Sequence, residues 1–105
     1  MSDVINPGDV ARVSTTSVFT NAAGTATDPD TVTFKVWQHG ALASATSYVY
    51  GTDPEVTKAG TGDYYVDIPI PYALTSRGLW KVEVRGEGTV DAVEQTEFNV
   101  VAYRK

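Results

Sequence analysis

The chain contains no cysteine. That one absence excludes disulfides, thiol catalysis and the usual structural zinc sites. Histidine is almost as scarce, with His39 the only one, so a base that titrates near neutral pH is available at a single position. Long apolar runs are also missing: none approaches the roughly 20 residues that span a bilayer. The opening Met-Ser-Asp-Val-Ile-Asn-Pro-Gly-Asp has neither the basic region nor the apolar run of a signal peptide. The expectation is a protein without signal peptide or transmembrane segment, made in a reducing cytoplasm. Basic residues are the minority, eight Lys and Arg against 13 Asp and Glu, for a formal charge of −5. A diffuse negative field opposes phosphate backbones and anionic lipid, so neither nucleic acid nor a membrane is an expected partner.

What is present is strand patterning. At 105 residues, with 42% hydrophobic and 20% charged side chains, the chain is expected to form one domain over 1–105. Residues 1–8 read as an N-terminal arm and 102–105 as a tail. The clearest alternation lies in Gly62 to Val84, with Tyr64, Val66, Ile68 and Ile70 on one face of a first segment and Trp80, Val82 and Val84 on one face of a second. These read as the fifth and sixth strands, one from each sheet, facing each other across the core. Val10 to Thr20 reads as a long strand with Ala11, Val13, Thr15, Ser17 and Phe19 on one face, closed by an Asn21-Ala22-Ala23-Gly24 turn. Thr31 to Gln38 points Val32, Phe34 and Val36 inward and Trp37 outward. Thr46 to Tyr50 leaves its faces ambiguous, and a short strand follows around Glu55 to Lys58. The Pro71 to Gly78 link reads as a crossover holding a single helical turn at most. In the last strand Thr96, Phe98 and Val100 face inward, and shared parity pairs Trp80 with Phe98 and Lys81 with Glu97. About seven antiparallel strands with frequent turn signals and no convincing helix make the profile of an all-β sandwich, with a small closed barrel as the alternative.

Catalytic and metal chemistry find little support. His39 sits in a turn beside Gly40 with no carboxylate placed to orient it, and no Gly-x-Ser-x-Gly turn accompanies it. Asp28 and Asp30 flank one proline and Asp53 and Glu55 another, an arrangement that resembles oxygen ligands. Neither pair has the spacing of a dedicated calcium loop, and Asp-Pro is a routine turn opener. Two Gly-x-Gly sets precede strands instead of helices, which removes the helix N-terminus that a phosphate loop needs. No catalytic, cofactor-binding or metal-binding residue is therefore expected, and the protein is read as no enzyme. Outward aromatics are the more informative signal: Trp37 and Tyr65 by parity, with Tyr48 and Tyr50, form a candidate partner interface. A carbohydrate platform would use the same rings.

The order of these segments resembles the small immunoglobulin-like domains of bacteria and their phages, in particular short proteins encoded among the head and head-to-tail genes of tailed phages. The resemblance is carried by Pro7-Gly8-Asp9 with Arg12-Val13, Phe19 to Gly24, Asp28-Pro29 with Thr31 to Val36, Tyr48 to Gly51, Thr61 to Tyr64, Gly78-Leu79-Trp80 and Phe98-Asn99-Val100. It covers nearly the whole chain, and its motifs specify positions in a fold. The chain departs from the antibody pattern in lacking the cysteine pair and in carrying its core Trp80 in the penultimate strand. The resemblance implies a virion structural role with no cofactor: capsid decoration or the neck, docking in many copies on major capsid, connector or tail proteins. The alternative is a carbohydrate-binding surface module that holds host-surface glycans.

Overall fold

The computed structural model describes residues 5–15, 18–72, 75 and 77–101. Seven strands follow in order: β1 (Val10–Ser14), β2 (Thr31–Gln38), β3 (Thr46–Val49), β4 (Val56–Gly60), β5 (Asp63–Pro69), β6 (Gly78–Glu87) and β7 (Ala92–Val100). A 3-10 turn, Leu42–Ser44, separates β2 from β3. The strands form two antiparallel sheets, one ordered β1-β5-β4 and the other β3-β2-β6-β7. Consecutive strands therefore swap sheets between β1 and β2, between β3 and β4, and between β5 and β6. Seven strands paired antiparallel in two sheets make this a β-sandwich.

Alternation builds the core. Tyr64, Val66, Ile68 and Ile70 are buried from one sheet, and Val32, Phe34, Val36, Val82 and Val84 from the other. The segments Tyr64 to Ile70 and Trp80 to Val84 lie in different sheets and meet in one core, as the sequence predicts. Register follows the parity argument too: Trp80 opposes Phe98 and Lys81 opposes Glu97. Tyr48 resolves its ambiguity by packing against the core opposite Phe34.

Several expectations are corrected. β1 ends at Ser14, short of Thr20, because its partner β5 starts at Asp63 and the ladder runs out. The chain rejoins the sheet further on, where Phe19 N–H donates to the Gly62 carbonyl at 2.8 Å. Trp80 is only half-buried, packing its ring on Phe98 with centroids 6.0 Å apart and planes 14° from parallel. Val90, in the β6–β7 loop, enters the core without any strand periodicity to announce it. The face of Ser17, the conformation of residues 73, 74 and 76 of the crossover and the tail 102–105 lie outside the described residues.

Two glycines fix how the layers meet. Gly62 has φ of 72°, and a Cβ there would lie 2.6 Å from the Phe19 carbonyl oxygen. Gly86, in β6, would place a Cβ 2.7 Å from both the Phe19 ring and Pro29. The segment from Phe19 to Pro29 therefore closes over one end of the sandwich through contacts that only a missing side chain permits.

Candidate functional site

The densest polar cluster is centred on Asp28. Its Oδ2 accepts from Lys58 Nζ at 2.6 Å, and its Oδ1 accepts from the Gly62 N–H at 2.8 Å and the Tyr64 hydroxyl at 3.1 Å. The Lys58 contact, helped by the Gly62 N–H, holds the Asp28 carboxyl below its ordinary range, and Asp28 in turn raises Lys58. Burial, followed by the bond to Asp28, pushes the Tyr64 hydroxyl up to about 12. Tyr50 reaches this cluster from the other sheet, its ring edge-on to Tyr64 at 5.2 Å. All three groups on Asp28 stabilise its ionised form, so the cluster acts as a clasp joining the Phe19–Pro29 segment to β4 and β5.

Two other loop acids of the sequence pairs are also hydrogen-bonded. Asp53 Oδ2 accepts the Val49 N–H at 2.8 Å, closing the turn after β3, and Asp30 Oδ1 accepts the Thr89 hydroxyl at 2.9 Å. Among the described residues, no group of three or more His, Cys, Asp or Glu side chains converges on a possible metal position. His39 lies exposed in its turn, where its backbone N–H donates to Leu79.

The four aromatic candidates separate. Trp37 does point to the outer side of its sheet, away from the core cluster, yet it is only 8% exposed. Parity decides the side of the sheet, not the exposure. At the same end of β2, Gln38 Nε2 donates to the Thr75 carbonyl at 2.7 Å. Tyr48 faces inward, half-buried, and burial followed by the charges of Glu55 and Asp53 raises its hydroxyl. Tyr65 lies on the outer side of the other sheet, with the Arg12 guanidinium 4.1 Å from its ring centroid. Asp67 holds that guanidinium through two bonds, of 2.7 and 3.0 Å. Only Tyr50, 44% exposed, keeps much of its ring accessible. The four therefore form no common surface.

A different surface emerges along β7. Phe98 and the other even-numbered residues of β7 bond to β6, because the odd-numbered residues of β6 already bond to β2, as the Asp30-to-Glu87 and His39-to-Leu79 bonds show. The backbone groups of Val93, Gln95 and Glu97 consequently point away from the sheet, and none bonds to a described residue. Among the described residues, Ile5 covers the C-terminal end of this edge, forming a parallel bridge with Val100 and accepting from Val101 N–H at 2.9 Å. Beside the open part runs a slot of about 330 Å³ lined by Val18, Phe19, Thr20, Ala92, Val93 and Glu94. Val93 is 51% exposed and Val18 is 42% exposed. Sequence reasoning missed this surface because it ranked side chains by aromaticity, whereas the feature is a row of backbone groups whose direction depends on which strand occupies the other side.

No family model, no curated protein and no solved structure matches this chain. Among the described residues, no helix is long and apolar enough to cross a membrane.

Proposed function

We propose that this is a non-enzymatic structural protein of a tailed-phage particle, a capsid decoration or head-to-tail protein that docks in many copies on other virion proteins. The observation that carries the docking reading is the edge of β7 over Val93 to Glu97, whose outward backbone groups bond to no described residue, with exposed Val93 and Val18 beside it. A sheet edge offers unpaired donors and acceptors, and exposed apolar side chains next to it supply area to bury. Elsewhere the conspicuous polar groups hold the fold together: Asp28 clasps two layers, and Asp53 and Asp30 fasten turns. The virion assignment itself rests on the sequence resemblance. In such a particle the partners are capsid, connector or tail proteins, and assembly takes place in the host cytoplasm. Many weak contacts add up when one particle presents many copies.

The carbohydrate reading draws less support, since Trp37 is covered, Tyr48 faces the core and Tyr65 lies beneath Arg12. Mass spectrometry and cryo-microscopy of purified particles test the proposal. The chain is expected at many copies per particle, in density the size of this domain. Its absence from mature particles overturns the reading.

A further inference from the structure

We propose that Asp53 and Lys58 are edge guards, residues that keep the β3–β4 side of the sandwich from adding a strand of a second copy of this chain. β3 and β4 each stand at the edge of their sheet, on either side of the turn that carries Asp53. The Tyr50 N–H donates to the Val32 carbonyl, so the even-numbered residues here bond to β2, and Ser47 and Val49 turn their backbone groups outward. Asp53 and its turn take up Val49 on both sides. Asp53 Oδ2 accepts the Val49 N–H at 2.8 Å, and the Val49 carbonyl accepts the Thr52 and Asp53 N–H groups at 3.1 and 2.8 Å. Ser47 is the outward residue of β3 that remains, too little for a ladder. On β4, the Asp67 N–H donates to the Glu55 carbonyl, so Val56 and Lys58 are the residues that turn outward. The Val56 N–H donates to the Asp53 carbonyl at 3.2 Å. One residue therefore holds an outward N–H of both edges.

Lys58 guards what is left of β4. Val56 is buried, and Lys58, two residues on, opposes the buried Tyr64, so parity sends its side chain to the inward side of the strand. There its Nζ meets Asp28 Oδ2 at 2.6 Å. A strand added at this edge would set a side chain of its own beside that ion pair and strip water from it, a cost that an apolar residue at position 58 would not impose. The register also shifts between Lys58 and Gly60, which bends the end of the edge away from a straight partner. A capped N–H, an inward charge and a bulge are three separate obstacles on one side of the molecule. All of them act through contacts within the chain. The guards therefore operate whatever the protein docks on, and the idea stands apart from the virion reading.

The test compares variants of the full chain by sedimentation velocity and by amide exchange followed with NMR. In the parent, the Val49 and Val56 N–H groups, bonded to Asp53, should exchange more slowly than those of Ser47 and Lys58, which face outward. Asp53→Ala combined with Lys58→Val removes both guards. This variant is expected to self-associate at least tenfold more tightly than the parent, with the N–H groups of residues 47, 49 and 58 slowing as concentration rises. Lys58→Val alone leaves the Asp53 turn intact and should associate through β4 to a smaller degree. Asp53→Asn combined with Lys58→Arg keeps an acceptor for Val49 and a cation for Asp28, so it should behave as the parent. Asp28→Asn weakens the contacts of Lys58 but leaves its charge in place, and should associate no more than the parent. Retained exchange protection across β2, β5 and β6 confirms that each variant is folded. Four results overturn the proposal: Ser47 and Lys58 amides as protected in the parent as Val49 and Val56, a parent that already pairs through β3 or β4, folded Lys58→Val and double variants that associate no more than the parent, or equal association by Asp28→Asn.

Discussion

The Tyr64 hydroxyl donates to Asp28 Oδ1 across 3.1 Å, joining a ring in the centre of the core to a carboxylate held by Lys58 at the surface. Tyr64 is among the largest fully buried side chains, and its hydroxyl is the polar end of an otherwise apolar ring. The bond therefore satisfies a group that would be costly to bury alone, and ties the Asp28 segment to the core.

This pair makes stability sensitive to alkali. The folded-state pKa of Tyr64 is raised to about 12, whereas an unfolded tyrosine ionises near 10. The contribution is fully present below pH of about 10 and is lost as pH rises towards the folded value. A shift of about two units corresponds to roughly 3 kcal/mol. Lys58, also raised, adds to the same limb. Urea unfolding between pH 9 and about 12 should show stability falling, and Tyr64→Phe should flatten that fall without abolishing it. An unchanged slope in Tyr64→Phe would place the loss elsewhere.

Acid should act through Asp28. Its folded pKa is depressed, so its contribution is present above the unfolded value of about 3.9 and disappears as pH falls through the folded one. Asp67, lowered by Arg12, behaves in the same direction. Asp28→Asn is expected to lower the thermal midpoint at pH 7 and to shrink the difference between pH 7 and pH 2. Circular dichroism melts at the two pH values check this.

Close packing at Gly86 predicts a sharp contrast between two glycines of neighbouring loops and strands. Gly86→Ala forces a methyl against Phe19 and Pro29 and should cost about 1–3 kcal/mol by overpacking. Gly60 has open space around its Cβ position and no left-handed backbone. Gly60→Ala should therefore change stability little. Chemical denaturation of the two variants, compared with the parent, gives the difference directly.

Core position should separate two aromatic truncations. Phe34 is fully buried, so Phe34→Ala is expected to cost about 3–5 kcal/mol. Trp80 is half-buried and leans on Phe98, so Trp80→Ala should cost less. Equal costs in urea titrations would mean that Trp80 is as enclosed as Phe34.

Much of the fold was legible because strands with one buried face write their orientation into every second residue. Tyr64 to Ile70, Val32 to Val36 and the pairing of Trp80 with Phe98 all follow from that period and from the parity it imposes on a hairpin. The ends of elements were less legible. β1 stops where β5 has no more backbone to pair with, and Val90 reaches the core from a loop. Neither depends on local sequence.

The candidate interface shows the same division more strongly. Alternation placed Trp37 and Tyr65 on outer faces, and both point there. Whether an outward ring is accessible depends on what another part of the chain lays over it. For Tyr65 that is Arg12, from a strand far away in sequence. Sequence by itself determined the number of strands, their inward faces and the hairpin register, since these arise from local periodicity and the burial of apolar area. Only the tertiary structure decided which strand stands at the edge of each sheet, which rings are covered and where Asp28 finds its partners. Those properties belong to pairs of segments brought together by the two sheets, and a one-dimensional pattern does not contain them.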